Sequence, residues 1–120
     1  MQRDLPPTPD ALKRGHCVPC EGGVDPLTQE EENNYHDATP LWLINREETH
    51  KLTREFEFKN FGDAVTFINK IAQIAESEGH HPNLNLHDYK KLTVELFTHA
   101  ISGLSTNDFI LATKIDNLTS

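Results

Sequence analysis

The sequence predicts an α+β domain: a four-stranded antiparallel sheet with three helices on one face, in the order α-β-β-α-β-β-α. Three observations carry this expectation. Residues 49–58 and 89–98 alternate apolar and polar side chains, the two-residue period of strands with one buried face. The stretch from Asn60 to Gly79 repeats apolar residues at spacings of three and four, the period of an amphipathic helix. Helical patterns fall between strand pairs rather than after every strand, which favours antiparallel pairing. Helices on one face leave the other face uncovered, and a partner subunit is the usual cover.

Composition bounds the function. At 120 residues, the chain fits a single domain. Its net charge of −8 and pI of about 5.2 argue against nucleic acid or an anionic membrane as the main partner. No stretch approaches the roughly 20 apolar residues of a membrane span. The opening residues lack the apolar core of a secretory signal, and two cysteines make no disulfide framework. A soluble, cytoplasmic protein is expected.

Residues 1–26 read as a flexible tail, ahead of a domain over 27–120. Five of the seven prolines and three of the six glycines lie in it, with few apolar residues to offset the entropy of ordering. It contains Cys17-Val18-Pro19-Cys20, a spacing that can serve as half a zinc site or as a redox pair. No second such pair and no surrounding βαβ pattern supports either use. A solvated or loosely docked segment is the plainer reading.

Thr28-Gln29-Glu30-Glu31 is a capping box that opens a polar helix over 29–37, with Tyr35 and Ala38 to bury. Thr39-Pro40 ends it. Residues 41–45 read as a first strand and 46–48 as a turn. The second strand, 49–58, places Leu52, Phe56 and Phe58 on one face, with Arg54 interrupting them. Asn60 caps the main helix, whose stripe runs through Phe61, Ala64, Val65, Ile68, Ala72 and Ala75, widened by Phe67, Ile71 and Ile74. Gly79 supplies the left-handed residue that stops it, and Pro82 prevents continuation. Leu84 and Leu86 mark a short third strand, and 89–98 the fourth. In the fourth, Leu92, Val94 and Leu96 face the core, while the period turns His99 away from it. Ser105 and Asp108 form a capping box for a last helix over 106–118.

The candidate site is the pair His80-His81, fixed between Gly79 and Pro82, together with His99 in Thr98-His99-Ala100. Imidazoles suit proton transfer near neutral pH, because an unperturbed pKa of about 6.5 keeps both acid and base forms available. Zinc with three histidine ligands is an alternative, but no fixed H-x-x-E-H or H-x-E spacing is present. A third reading is that the pair only caps the preceding helix.

These residues carry a family likeness. Glu76-x-x-x-His80-His81-Pro82, Thr98-His99-Ala100 and Gly103-Leu104-Ser105-x-Asn107-Asp108-Phe109-Ile110-Leu111-Ala112-x-Lys114-Ile115-Asp116 together resemble the pterin-4a-carbinolamine dehydratase family over residues 27–118. Trp42 and Arg54-x-Phe56-x-Phe58 also fit. The resemblance implies the same fold, in homodimers or homotetramers. It implies dehydration of 4a-hydroxytetrahydropterin to the quinonoid dihydropterin, a step of tetrahydrobiopterin recycling that uses neither metal nor other cofactor. The catalytic residues it implies are His80, His81 and His99, with His80 and His99 as the acid–base pair and His81 helping to bind the pterin. Glu76, Pro82 and Asp108 fall on the substrate-binding side. Two departures stand out: the histidine pair and His99 are one residue further apart than in animal members, and Leu84 replaces their tryptophan. The competing function is a protein-interaction role on the same fold, as transcriptional dimerisation cofactor or enzyme-assembly factor.

Overall fold

The computed structural model describes residues 9–17 and 25–119. The elements are helix α1 (Pro9–Arg14), helix α2 (Gln29–His36), strands β1 (Leu43–Asn45) and β2 (Lys51–Glu57), helix α3 (Phe61–Glu78), strands β3 (Asn83–His87) and β4 (Lys91–Leu96), and helix α4 (Thr106–Asn117). The four strands form one antiparallel sheet in the order β1-β2-β4-β3. This is the predicted α+β architecture, with strands shorter than the alternating patterns by a residue or two at their ends.

Among the described residues, one face of the sheet is covered and the other is not. Leu52 and Phe56 of β2 and Leu92, Val94 and Leu96 of β4 are buried, while Thr53, Glu55, Thr93 and Glu95 point the other way and reach solvent. The α3 helix covers the buried face through Phe67, whose ring lies 4.9 Å from that of Phe56 and 5.1 Å from that of Phe58. Its buried strip is Ala64, Phe67, Ile71 and Ala75, narrower than the sequence pattern suggests. Phe61 and Ala72 are exposed. Phe61 is the first helical residue, and Ala72 follows Ile71 about 100° around the axis, so neither faces the sheet.

The α4 helix is buried along most of its length and organises the rest. On one side Tyr35 of α2 stacks on Phe109 at 5.2 Å. On the other, Leu12 of α1 joins the core, and Lys114 Nζ donates to the Lys13 carbonyl at 2.6 Å. Residues 9–17 thus lie against the domain, where the sequence suggests an apolar-poor tail. One well-seated leucine suffices, because Gly15 lets the chain come close: a Cβ there would sit 3.3 Å from the Leu12 carbonyl and 3.4 Å from Ile110. Cys20 lies outside the described residues, so the expected Cys17-x-x-Cys20 pair has only its first member on view.

Two charged clusters explain what hydrophobic pattern alone does not. The polar α2 docks through Glu32, fully buried, whose carboxylate meets Arg46 at 2.8 Å and His50 at 2.7 Å. Arg54, which interrupts the apolar face of β2, lies over the Phe56 ring and donates to Asp116 of α4. Asp116 also accepts the Nε1–H of the fully buried Trp42 at 2.8 Å.

Asp116→Ala orphans both donors and is expected to cost about 2–3 kcal/mol in urea unfolding. Arg54→Met keeps an aliphatic cover on Phe56 and leaves Trp42 bonded, so it should cost less. Equal losses for the two variants would contradict this account of the pair.

Candidate active site

The ends of four elements meet at one edge of the sheet. Asn60 caps α3 through Oδ1 to the Asp63 N–H at 2.8 Å, and Gly79 ends the helix in the left-handed region, with φ of 68°. Both the Gly79 and His80 N–H groups turn back to the Ala75 carbonyl, at 2.8 and 3.2 Å. That closure, followed by Pro82, aims His80 and His81 off the helix end just before β3 begins. After β4 the chain bridges Thr98 to Gly103 and makes a short 3₁₀ turn, His99–Ile101. The strand therefore ends at Leu96, two residues before its predicted end at Thr98. His99 is exposed, as the two-residue period implies, but stands on this turn with its ring centroid 4.2 Å from that of Phe97.

A cavity of about 300 Å³ opens between these pieces, with His80, His81, Pro82, Phe97, His99 and Asn107 in its wall. That volume is at the lower end of the roughly 300–1,000 Å³ usual for small-molecule sites. The three histidines of the sequence motif thus share one cavity. Glu76 is not in its wall. It lies at the surface, where its carboxylate meets His81 Nε2 at 2.8 Å, with both side chains largely exposed.

Asp108 lies behind His80 and is fully buried. Its Oδ1 is 2.6 Å from His80 Nε2, while Oδ2 accepts the Ser105 N–H at 3.0 Å and the Thr98 hydroxyl at 2.8 Å. Asp108 therefore caps the helix through one oxygen and meets His80 through the other. A carboxylate that takes hydrogen bonds only as an acceptor makes the imidazole the donor, placing the proton on Nε2. His80 Nδ1 is left without a hydrogen bond among the described residues. Thr98 and Phe97 join the cavity region, although neither was a candidate site residue. A threonine beside a histidine and an aromatic in an alternating strand are ordinary features until the loop closes.

Cys17 sits close by on the strand-free segment after α1. Its thiol donates to the Asn107 carbonyl at 3.5 Å, and its N–H donates to Glu78 at 2.8 Å. Burial, then the Glu78 and Asp108 carboxylates, push the thiol up to about 12, with Lys114 opposing. Burial also pushes the Glu78 carboxyl up, but the Cys17 N–H, His16 and Lys114 outweigh it and hold Glu78 below its ordinary value. Among the described residues no three His, Cys, Asp or Glu side chains gather as a metal ion would require. None of the described helices is long and apolar enough to cross a membrane.

Known proteins resemble the chain along most of its length. The family model described as pterin 4 alpha carbinolamine dehydratase matches residues 25–118. A Chlorobaculum tepidum protein provisionally named pterin-4-alpha-carbinolamine dehydratase is 46% identical over 108 residues, covering 89% of this chain and 96% of the relative. A similarly named Rickettsia canadensis protein is 46% identical over 107 residues, covering 88% and 95%. Among solved structures, a transcriptional coactivator/pterin dehydratase from Brucella melitensis superposes with a TM-score of 0.73 at 30% identity, covering 80% of this chain and 100% of that one. A pterin dehydratase-like protein identified as a RuBisCO assembly factor in the alpha-carboxysome shares the fold, with a TM-score of 0.56 at 20% identity over 66% of this chain and 89% of that one.

Because the Cys17 thiol is held protonated, it should resist thiolate-selective alkylation in the folded protein at pH 8 and react on unfolding, where its ordinary value of 9.0 returns. Mass spectrometry of a Cys20→Ser variant reads this directly. Rapid native alkylation of Cys17 would contradict the docked position of the segment.

Proposed function

The chain belongs to the pterin 4 alpha carbinolamine dehydratase family, and we propose that it dehydrates a 4a-hydroxytetrahydropterin to the quinonoid dihydropterin at the His80 cavity. The observation that carries the reading is His80, backed by buried Asp108, in the wall of a cavity shared with His81 and His99. The elimination is balanced in protons. The 4a-hydroxyl receives one and leaves as water, the neighbouring ring nitrogen loses one, and its freed electron pair closes the carbon–nitrogen double bond.

In this reading His80 is the base. Nδ1 takes the proton from the ring nitrogen, and the imidazolium that forms already has its Nε2–H against a carboxylate. A buried acceptor in that position stabilises the charged ring and fixes its orientation. His99, across the cavity, gives its proton to the departing hydroxyl. His81, steered by Glu76, holds the pterin, and Pro82 shapes the wall behind it. Each positioned proton transfer is of the kind worth about 10²–10⁴ in rate. The chemistry asks for no metal or cofactor.

The same proposal places the enzyme in the cytoplasm, in tetrahydrobiopterin recycling, as a homodimer or homotetramer. Leu41 and Leu43, 63% and 71% exposed beside the uncovered sheet face, support association of copies there.

The test is dehydration of 4a-hydroxytetrahydropterin followed by ultraviolet absorbance, with chelator-treated protein in parallel. His80→Ala and His99→Ala are expected to lose at least tenfold, about 1.4 kcal/mol of barrier. His81→Ala should act mainly on KM, and chelator should change nothing. Folded wild-type protein no faster than the uncatalysed reaction would sink the enzyme reading.

A further inference from the structure

We propose that Glu78 is a positioning residue for the His80–Asp108 pair, and that residues 15–17 act through it as a strap joining the end of α3 to the start of α4. The geometry of the pair carries the inference, which takes only its kinetic readout from the dehydratase reading. Glu78 is the last residue of α3 and stands two before His80. Its side chain is only 7% exposed. One carboxylate oxygen accepts the Cys17 N–H at 2.8 Å, and the other is 3.1 Å from His16 Nδ1 and 3.7 Å from Lys114 Nζ of α4. Three separate parts of the chain therefore meet on one carboxylate.

The strap also reaches the other half of the pair. The Cys17 thiol donates to the carbonyl of Asn107, which lines the cavity and immediately precedes Asp108. Within one residue, then, the segment is tied both to the helix end that presents His80 and to the helix start that presents Asp108. Lys114 adds a second tie, through the Lys13 carbonyl.

Helix stability does not explain a carboxylate at this place. Acidic groups are unfavourable at the negative end of the helix dipole, and the last turn of α3 contains no basic residue. The strap N–H and Lys114 supply the compensation. Gly79, the residue between Glu78 and His80, has open space around it, with nothing within 4 Å of where a Cβ would stand. The side chain of Glu78 is thus the tertiary anchor next to the turn that aims His80. Loosening it lets the imidazole drift from Asp108.

The experiment compares Glu78→Ala and Glu78→Gln with wild type, each checked for folding by circular dichroism. Two readouts are taken: dehydration kinetics, and titration of the His80 ring by heteronuclear NMR. The anchor account expects Glu78→Ala to lower kcat roughly tenfold to 10²-fold, since small misplacements cost that much. KM should stay within about twofold, and the His80 titration midpoint should move. Glu78→Gln, which still accepts the Cys17 N–H, should recover part of both effects. If Glu78→Ala does not fold, Glu78→Gln and Lys114→Met carry the same comparison. Folded variants with wild-type kcat and a wild-type His80 titration overturn the proposal. A wild-type chain without dehydratase activity removes the functional reading, while the NMR comparison still decides the positioning role.

Discussion

A single buried carboxylate holds the candidate site together. Asp108 has no exposed surface, and an unpaired charge there would cost several kcal/mol. Three donors from three parts of the chain satisfy it: the Ser105 N–H at the α4 terminus, the Thr98 hydroxyl after β4, and His80 after α3. The positive end of the α4 dipole adds to them. The loop between Thr98 and Ser105 is built around this point. Its bridge from Thr98 to Gly103 needs glycine, because a Cβ at 103 would stand 2.7 Å from Pro26. Packing, cap and chemistry therefore share one constraint. The tautomer of His80 follows from it.

Around that centre the molecule repeats one device, a carboxylate that gathers groups from distant segments. Glu32 seats α2 against the loop between β1 and β2, and Asp116 joins α4 to Trp42 and Arg54. Glu78 does the same for the N-terminal segment. An acidic chain of 120 residues gains specificity in this way where its apolar core is small. Each charge tolerates only the arrangement that supplies its partners. For the site, the consequence is that residues far apart in sequence, from Cys17 to Lys114, bear on the position of one imidazole.

Much of this was legible in the sequence because it depends on local rules. The alternation in 89–98 and the threefold and fourfold spacing in α3 reported the sheet and the main helix, and Gly79 with Pro82 located the histidine pair. The capping pattern Ser105-x-x-Asp108 located the start of the last helix. What stayed hidden rests on long-range partners. Glu32 looked like one of several solvated acids in a polar helix, and nothing in its neighbours announces Arg46 or His50. Arg54 read as an interruption because Asp116 lies 62 residues away. The sequence left residues 9–17 as a solvated or loosely docked segment for the same reason: one leucine and a few long-range hydrogen bonds leave no periodic signature. The fourth strand was drawn to Thr98 because alternation continues through Phe97, whereas it ends at Leu96 and the Thr98–Gly103 bridge pulls the chain into a turn.

In the proposed reaction the cavity holds a pterin with its reacting edge between His80 and His99. A crystal structure of the chain with a stable dihydropterin tests it most directly. The account predicts the bicyclic ring in the cavity, its 4a carbon and adjacent nitrogen turned toward His80 Nδ1 and His99, and Asp108 still on His80 Nε2. A ring seated elsewhere, or one whose reacting edge faces neither histidine, would contradict it.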